Sequence, residues 1–387
     1  MRIFVLGVGG TGSLLAQLLE RQGHTVWCGD RDVERARRFL GKKSKIEVFP
    51  VNARNVWSIV RAGRGANLVL NALPAVYNNI ILRATLRLRA HYLDLNSHLT
   101  RHPFRPEQFR FHQRFLAKNR VALICAGASP GLTNLLARRG CELLDSVESI
   151  HIRLYESTEC KDPISTWSAD VAYDEAISRP RVYRNGRFAL ARRFDEREKF
   201  RFPPPIGETP VYLAAQDEVC MLPYIIPVRD VDAKIGGNDF ERLRRWYRQG
   251  RLRRSQGMAR KRFPKTPTPR QVAALIRRGV LENARFAAAV LIRGMKGDQP
   301  LLVRWDASFP TLYQIRQRGL MATPISYATA HLAAIFVRRF PRDLAGVIGP
   351  AGLPAAMRRA ILADVRSRDF RIALKITRLK KLEEEEY

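Results

Sequence analysis

Three groups of residues in this sequence are of types and spacings that can do chemistry. The first is Gly7-Val8-Gly9-Gly10-Thr11-Gly12. A Gly-x-Gly-x-x-Gly loop between a strand and a helix fits a dinucleotide. Gly7 allows the tight turn, Gly9 lets the backbone approach a pyrophosphate, and Gly12 lets the helix pack close to the strand. The anion rests on free N–H groups at the helix start, around Gly10 and Thr11, where the Thr11 hydroxyl adds a contact. A glycine-rich turn without a ligand is the plainer reading, and the strand–turn–helix context argues against it. Asp30 lies about 20 residues beyond the loop, where a carboxylate accepts from ribose hydroxyls and repels a 2′-phosphate. That favours NAD. Arg31 follows at once and can stack on adenine or pair with a 2′-phosphate, which leaves NADP possible.

The second group is Asp94-Leu95-Asn96-Ser97-His98, at the end of an apolar run. His98 is a candidate proton carrier, because an ordinary histidine titrates near working pH. A loop histidine that only bonds the backbone is the alternative. Asn96 beside it is a candidate substrate contact. The third group is Gln216-Asp217-Glu218. Asp217 as a catalytic acid and Glu218 as a substrate contact would hold an ammonium group, or the pair is a solvated turn. Arg153 suits a substrate carboxylate, and Tyr224 is a weaker candidate.

The elements that must position these groups follow from periodicity. Apolar, β-branched runs at 2–7, 25–30, 46–51, 67–72, 91–95 and 121–125 predict strands. Helical patterns at 13–21, 33–40, 56–62, 78–89 and 107–119 alternate with them. Strict alternation predicts a doubly wound parallel sheet with right-handed crossovers. Ligands in such sheets lie outside the carboxyl ends of the strands, so Asn71-Ala72-Leu73-Pro74, the segment ending in His98, and Ser129-Pro130-Gly131 should line one crevice with the glycine loop. Asn52 and Ala53, after the third strand, belong to the same edge.

Beyond about Ala128 the pattern changes. Residues 132–144 predict a helix and 150–154 alternate with period two. Residues 287–293 and 301–305 flank a turn at 295–298 and predict a hairpin. Residues 179–187 and 202–207 are rich in proline, glycine and arginine and predict loops. Helical periodicity returns at 326–337 and 354–367, before the acidic run Glu383–Glu386. The fold class is α/β: an N-terminal Rossmann doubly wound parallel sheet with an inserted α+β substrate and dimerisation domain.

A chain of 387 residues suits about two domains. No apolar run reaches the roughly 18 residues of a membrane span, and the N-terminus lacks a signal peptide's apolar stretch, which predicts a cytoplasmic protein. Cys28, Cys125, Cys141, Cys160 and Cys220 form no Cys-x-x-Cys pair and no histidine stands near them at ligand spacing, so neither a disulfide framework nor a metal is expected. The formal charge of +32 is spread over helix faces. The densest run, Arg242–Arg262 with Trp246 and Tyr247 inside it, could hold a phosphate backbone but carries no reader motif, so nucleic acid is not the expected partner.

Val69–Pro74, His91–Leu95 and Ser129–Asn134 together resemble the saccharopine dehydrogenase-like oxidoreductases, the family of lysine 6-dehydrogenase and carboxynorspermidine dehydrogenase. Phe202–Gly207 and Met321–Pro324 echo it more weakly. The resemblance implies a discontinuous cofactor domain, 1–130 plus about 324–387, around a substrate and dimerisation domain at 131–323. It implies hydride transfer between nicotinamide and a CH–NH or CH–NH2 carbon of an amino acid or polyamine, in a homodimer. A histidine matches the lysine 6-dehydrogenase-like pattern at His98. Relatives often carry an aspartate near adenine where this chain has Val51-Asn52-Ala53, which shifts that contact to the Asn52 amide. Two other readings stand beside this one: a non-catalytic dinucleotide-binding or sensing protein, and a basic nucleic-acid-binding protein.

Overall fold

The computed structural model describes residues 1–166, 168–252, 263–367 and 369–379. Its N-terminal half runs β1 (Arg2–Leu6), α1 (Gly10–Arg21), β2 (Thr25–Asp30), α2 (Val33–Leu40), β3 (Val48–Pro50), α3 (Val56–Ala62), β4 (Leu68–Asn71), α4 (Asn78–Leu88), β5 (His91–Asp94), α5 (His112–Leu116), β6 (Val121–Leu123) and α6 (Leu132–Cys141). Each strand is short and almost wholly apolar, as strands buried on both faces must be. Side chains cap the helices where the sequence offers them. Asp32 accepts from the Arg35 N–H at the start of α2, and Asn55 accepts from Trp57 and Ser58 at the start of α3.

The second half runs β7 (Ser146–Cys160), α7 (Ala169–Ile177), β8 (Arg181–Arg184), β9 (Arg187–Leu190), β10 (Glu198–Phe202), β11 (Gly207–Leu213), β12 (Asp230–Gly236), α8 (Asn238–Arg248), α9 (Pro269–Arg277), β13 (Leu281–Lys296), β14 (Gln299–Ser308), α10 (Leu312–Gln317), α11 (Pro324–Arg338), β15 (Gly346–Ile348), α12 (Ala355–Arg366) and β16 (Arg371–Arg378). Two sheets result. The first has seven strands in the order β15-β6-β5-β4-β1-β2-β3, all parallel. The second has nine, ordered β10-β11-β12-β7-β13-β14-β16, with the β8–β9 hairpin attached through β12.

Four features depart from the sequence reading. β15 extends the parallel sheet; it has three residues, too few to show a period. Residues 181–190 form a hairpin rather than a loop, turning on Asn185 (φ 48°) and Gly186 (φ 74°), the left-handed pair an Asn-Gly turn requires. The helix expected at 107–119 begins as a 3-10 turn over Glu107–Phe111. β16 pairs with β14 in the second sheet, so the chain leaves the cofactor domain again after α12.

Helices α6 and α11 lie between the sheets. α11 is buried along nearly its whole length, Pro324 to Val337, on every side. A helix apolar all round must be covered all round. One continuous core joins Ile3 and Val5 of the first sheet to Ile152, Val290 and Trp305 of the second, through Leu135 and Leu136 of α6 and Leu332 and Ile335 of α11.

The opposite face of the second sheet is polar inside. Asp232 (3% exposed) receives Arg153 Nη1 at 2.5 Å and Arg184 Nη2 at 2.8 Å, with His151 Nδ1 at 3.1 Å. Arg153 also grips Glu198, which takes Lys234 Nζ at 3.1 Å. Burial pushes the Asp232 carboxyl up, but the His151 hydrogen bond and the two guanidinium charges outweigh it and hold it well below the usual carboxylate range. Stability from a depressed carboxylate is present above its unfolded value, near 4, and is lost as pH falls through and below that value. Asp232→Asn should therefore lower unfolding free energy at neutral pH by about 3 kcal/mol, the cost of stranding buried cations, and flatten the acid limb of stability. Urea titrations across pH measure both; an unchanged acid limb would show that Asp232 does not govern it.

Candidate active site

A cleft of about 2250 Å³ opens between the carboxyl ends of the first sheet's strands and the second domain. The glycine loop forms one end of its floor. Gly7 (φ +91°) turns the chain out of β1, and a Cβ there would stand 2.8 Å from the Leu73 side chain and 3.0 Å from Ala72 O. A Cβ on Gly12 would run into the Gly7 carbonyl, whereas one on Gly9 meets nothing within 4 Å and points into open space. Gly9 is the N-cap of α1 and offers no side-chain bond, so the first N–H groups of the helix, from Gly10 onward, have no side-chain cap. Thr11 Oγ1 bonds Ser326 Oγ at 3.3 Å, which ties the loop to α11.

Asp30 is held in place twice. Val8 N–H donates to Oδ2 at 2.8 Å, and Asp32 N–H donates to Oδ1 at 3.0 Å. The carboxylate thus fastens the end of β2 to the glycine loop while still lining the cleft. Arg31, Arg35, Arg38, Asn52, Ala53 and Arg54 line the same cleft.

The next strand ends are braced from behind. Asn71 is fully buried; it accepts from Leu73 N–H at 3.0 Å and donates to Asn78 Oδ1 and Tyr92 OH at 2.8 and 3.0 Å. That turn presents Ala72, Leu73 and Pro74 to the cleft. Gln108, also buried, donates to Asp94 Oδ2 (3.1 Å) and Asn96 O (3.0 Å) and accepts from His98 N–H (3.0 Å), so one side chain fixes the loop carrying Asn96 and His98. Asp94 accepts from Cys125 N–H at 2.7 Å, and burial pushes its carboxyl up to about 7. His98 is lowered by burial, against the opposing pull of Glu107, whose Oε2 lies 3.7 Å from Nδ1. That is too long for a hydrogen bond.

The second domain supplies an acidic wall. Asp217 Oδ2 accepts from Ser97 N–H at 2.8 Å. Burial pushes the Asp217 carboxyl up to about 6, with the Ser97 bond and Arg181 pulling the other way. Glu156, at the inner end of β7, is raised by burial and by Asp239 to about 8. Glu175 on α7 is raised well above its ordinary value by burial and then by Glu156, Asp217 and Glu218. Arg179, Arg181 and Arg193 stand at the rim.

Residues 3–123 match the family described as saccharopine dehydrogenase NADP binding domain. The N-terminal domain belongs to that family. The fold of the whole chain is similar to that of saccharopine dehydrogenase (L-Glu forming) from Saccharomyces cerevisiae, with a TM-score of 0.70 at 10% identity over 98% of this chain and 100% of that one. A meso-dapdh variant from Clostridium tetani and the DAP dehydrogenase of C. glutamicum align at 11% and 12% identity over 95% of this chain and 99% of theirs, each with a TM-score of 0.45.

A saccharopine dehydrogenase-type NADP-binding domain takes a nicotinamide dinucleotide, NAD or NADP, and the residues here fit one. The uncapped helix start and the open space over Gly9 form a cradle for a pyrophosphate. Of the residues expected at the cofactor, the structure brings Gly7, Gly9, Gly10, Thr11, Gly12, Asp30, Arg31, Asn52, Ala53, Ala72, Leu73, Pro74 and Pro130 to the cleft. Asn71 and Gly131 stand behind it. Gly131 (φ +136°) has room only for a hydrogen, because a Cβ would enter the Gly127 backbone, and so it positions Pro130.

Among the substrate and catalytic candidates, Asn96, His98 and Asp217 line the cleft. Glu218 does not: it is fully buried, accepting from Ser129 Oγ and, at 2.6 Å, from Thr133 Oγ1, so it docks one domain on the other. Arg153 is corrected too. It faces the far side of the sheet and is spent on Asp232 and Glu198. Tyr224 stacks on Phe188 outside the cleft. Arg35, Arg38, Gln108, Glu156, Glu175 and Arg181 were missed. For Glu156 the signal was present: Ile150, Ile152 and Leu154 define the inward face of β7, and Glu156 is its next member. Among the described residues no cluster could hold a metal ion, and no helix is long and apolar enough to cross a membrane.

A carboxyl whose folded pKa is raised contributes stability that is full below its unfolded value, near 4, and is lost as pH rises through the folded value. Asp217, Asp94 and Glu156, at about 6, 7 and 8, place that loss between mildly acidic and mildly alkaline pH. The apo protein should melt higher at about pH 5.5 than at pH 8, and Glu156→Gln should narrow the difference. Thermal melts at fixed ionic strength decide it; a flat profile would contradict the buried-acid wall.

Proposed function

We propose that this protein is an NAD(P)-dependent oxidoreductase acting at a CH–NH or CH–NH2 carbon of an amino acid or polyamine. The observation that carries the reading is the single cleft joining the dinucleotide cradle to the acidic wall of Glu156, Glu175 and Asp217. A dinucleotide held by the glycine loop would supply hydride acceptance or donation at nicotinamide C4. What the chain must add is position and one proton.

Glu156 and Glu175 hold protons in the absence of a cation and release them when an ammonium group arrives, which gives a basic substrate its foothold. Arg179 and Arg181 at the rim suit a carboxylate on the same molecule. His98 stays neutral because burial disfavours its cation, so it is ready to take a proton from the reacting nitrogen. Gln108 and Asp217 position the His98 loop through the His98 and Ser97 N–H groups.

Asp30 supports NAD, while Arg31, Arg35, Arg38 and Arg54 around it offer a 2′-phosphate compensating charge. Both dinucleotides should bind, with affinities within about tenfold of each other. Arg35→Ala should weaken NADPH by about tenfold and leave NADH nearly unchanged, as read by fluorescence titration. Equal losses for both cofactors would remove the 2′-phosphate role.

Assays with lysine, saccharopine and carboxynorspermidine test the chemistry. His98→Ala should cut kcat by about 100-fold or more, the scale of a lost proton carrier, and Glu156→Gln should raise KM for the amine. Cofactor binding without turnover by wild type on an amine panel would instead favour a dinucleotide-binding protein. In the dense basic run from Arg242, Arg242 and Arg244 are paired with Asp239 and Glu241, and residues 253–262 lie outside the described residues.

A further inference from the structure

Behind His98 lies a second cavity, of about 230 Å³, separate from the acidic wall. It shares Val76, His98 and Thr100 with the main cleft, so the imidazole stands in the partition between the two. Three exposed arginines line it: Arg83 from α4, Arg101 from the loop after β5, and Arg110 from the 3-10 turn before α5. Among the described residues none of the three has an ion-pair partner. The one carboxylate present, Glu107, is occupied by the Asn79 amide at 2.7 Å and the Arg101 N–H at 2.9 Å. His98 Nδ1 and Asn79 Oδ1 are buried without hydrogen-bond partners.

Three exposed cations against one carboxylate leave the concavity with an excess of positive charge, and guanidinium groups match carboxylate and phosphate oxygens two at a time. The volume is below that of a drug-sized ligand site and suits one small, doubly charged group. We propose that this pocket binds a small dianion of the carboxylate or phosphate class, seated on Arg83, Arg101 and Arg110 against the His98 ring. The charged groups that act on the ring are Glu107 and Arg101, and Arg83 and Arg110 share the pocket with it. A dianion neutralises the arginines and favours the imidazolium, so occupancy turns His98 from a proton acceptor into a proton donor. The ligand is either a free anion or the acidic arm of a substrate reaching past His98.

The proposal needs the active-site reading only for the consequence at His98; anion binding itself requires no turnover. Calorimetric titration of the NAD-loaded protein, whose glycine loop is then filled, uses inorganic phosphate and succinate at ionic strength fixed with potassium chloride. One saturable site is expected, weakened at least about tenfold in the Arg83→Gln/Arg110→Gln double variant, with the His98 C2–H resonance titrating at higher pH when the anion is bound. Arg101→Lys serves as a second variant should the double variant melt early. If succinate binding is competed by a diacidic amine substrate, the site takes a substrate arm; if it persists unchanged, the site takes a free anion. Binding equal in wild type and in both variants, or heats no larger than those of the chloride control, would overturn the proposal whether or not the protein turns over amines.

Discussion

The two sheets are fixed relative to one another by a shared layer of helices, and the rest of the structure depends on that layer. α11 is buried along nearly its whole length, with Thr329 open only to the cleft and Arg338 exposed at its end, so it needs packed structure around it. The apolar core runs through it without interruption from Ile3 to Val290. Burial of a side chain such as Leu332 or Ile335 is worth about 1.5–3 kcal/mol, and here each one stabilises both domains at once. The cleft is the part of the interface that this layer leaves open. Its position is therefore set by this layer, while α7 and α9 contribute to its walls.

Polar contacts refine what the apolar layer begins. Asp217 and Glu218 are consecutive residues that reach across the boundary, one to the Ser97 N–H and the other to the hydroxyls of Ser129 and Thr133. Burying two neighbouring carboxyls is unfavourable unless each is hydrogen-bonded or protonated; these are hydrogen-bonded, and burial pushes both of them up toward the neutral form. The same economy recurs on the far face of the second sheet, where Asp232 gathers cations that would otherwise be stranded. Two acid-rich places thus respond to pH in opposite directions, for reasons visible in their partners. One is a carboxylate among guanidinium groups, the other carboxyls among carboxyls.

Much of this was legible in the sequence. The strand and helix periods of residues 2–125 led to the parallel sheet, and the spacing from Gly7 to Asp30 to the cofactor edge. What stayed hidden was set by three-dimensional partners. β15 is three residues long and acquires its identity from β6. Nothing in the sequence around Asn71 says that its side chain turns inward to Asn78 and Tyr92. Arg153 was misread although the information was available, because period two puts His151 and Arg153 on the face opposite Ile150, Ile152 and Leu154. The Asn185-Gly186 turn was readable as well, and was outweighed by the arginine and proline around it. The excess positive charge, uninformative as a total, acquires meaning by place: Arg31, Arg35 and Arg38 line the cleft together with Asp30.

Not all of the cleft wall shares the central core. α7, which carries Glu175, packs with α8 on a small satellite cluster around Tyr173, and α9, which contributes Arg270 and Ala274, packs on another around Val272. These satellites are separate from the layer that holds the dinucleotide cradle. Substitutions in α7 or α9 therefore fall on the cleft wall while leaving the glycine loop and the main core unchanged. The part of the cleft wall that α7 and α9 build is thus free to vary in shape and charge without disturbing the glycine loop on the far side of the cleft.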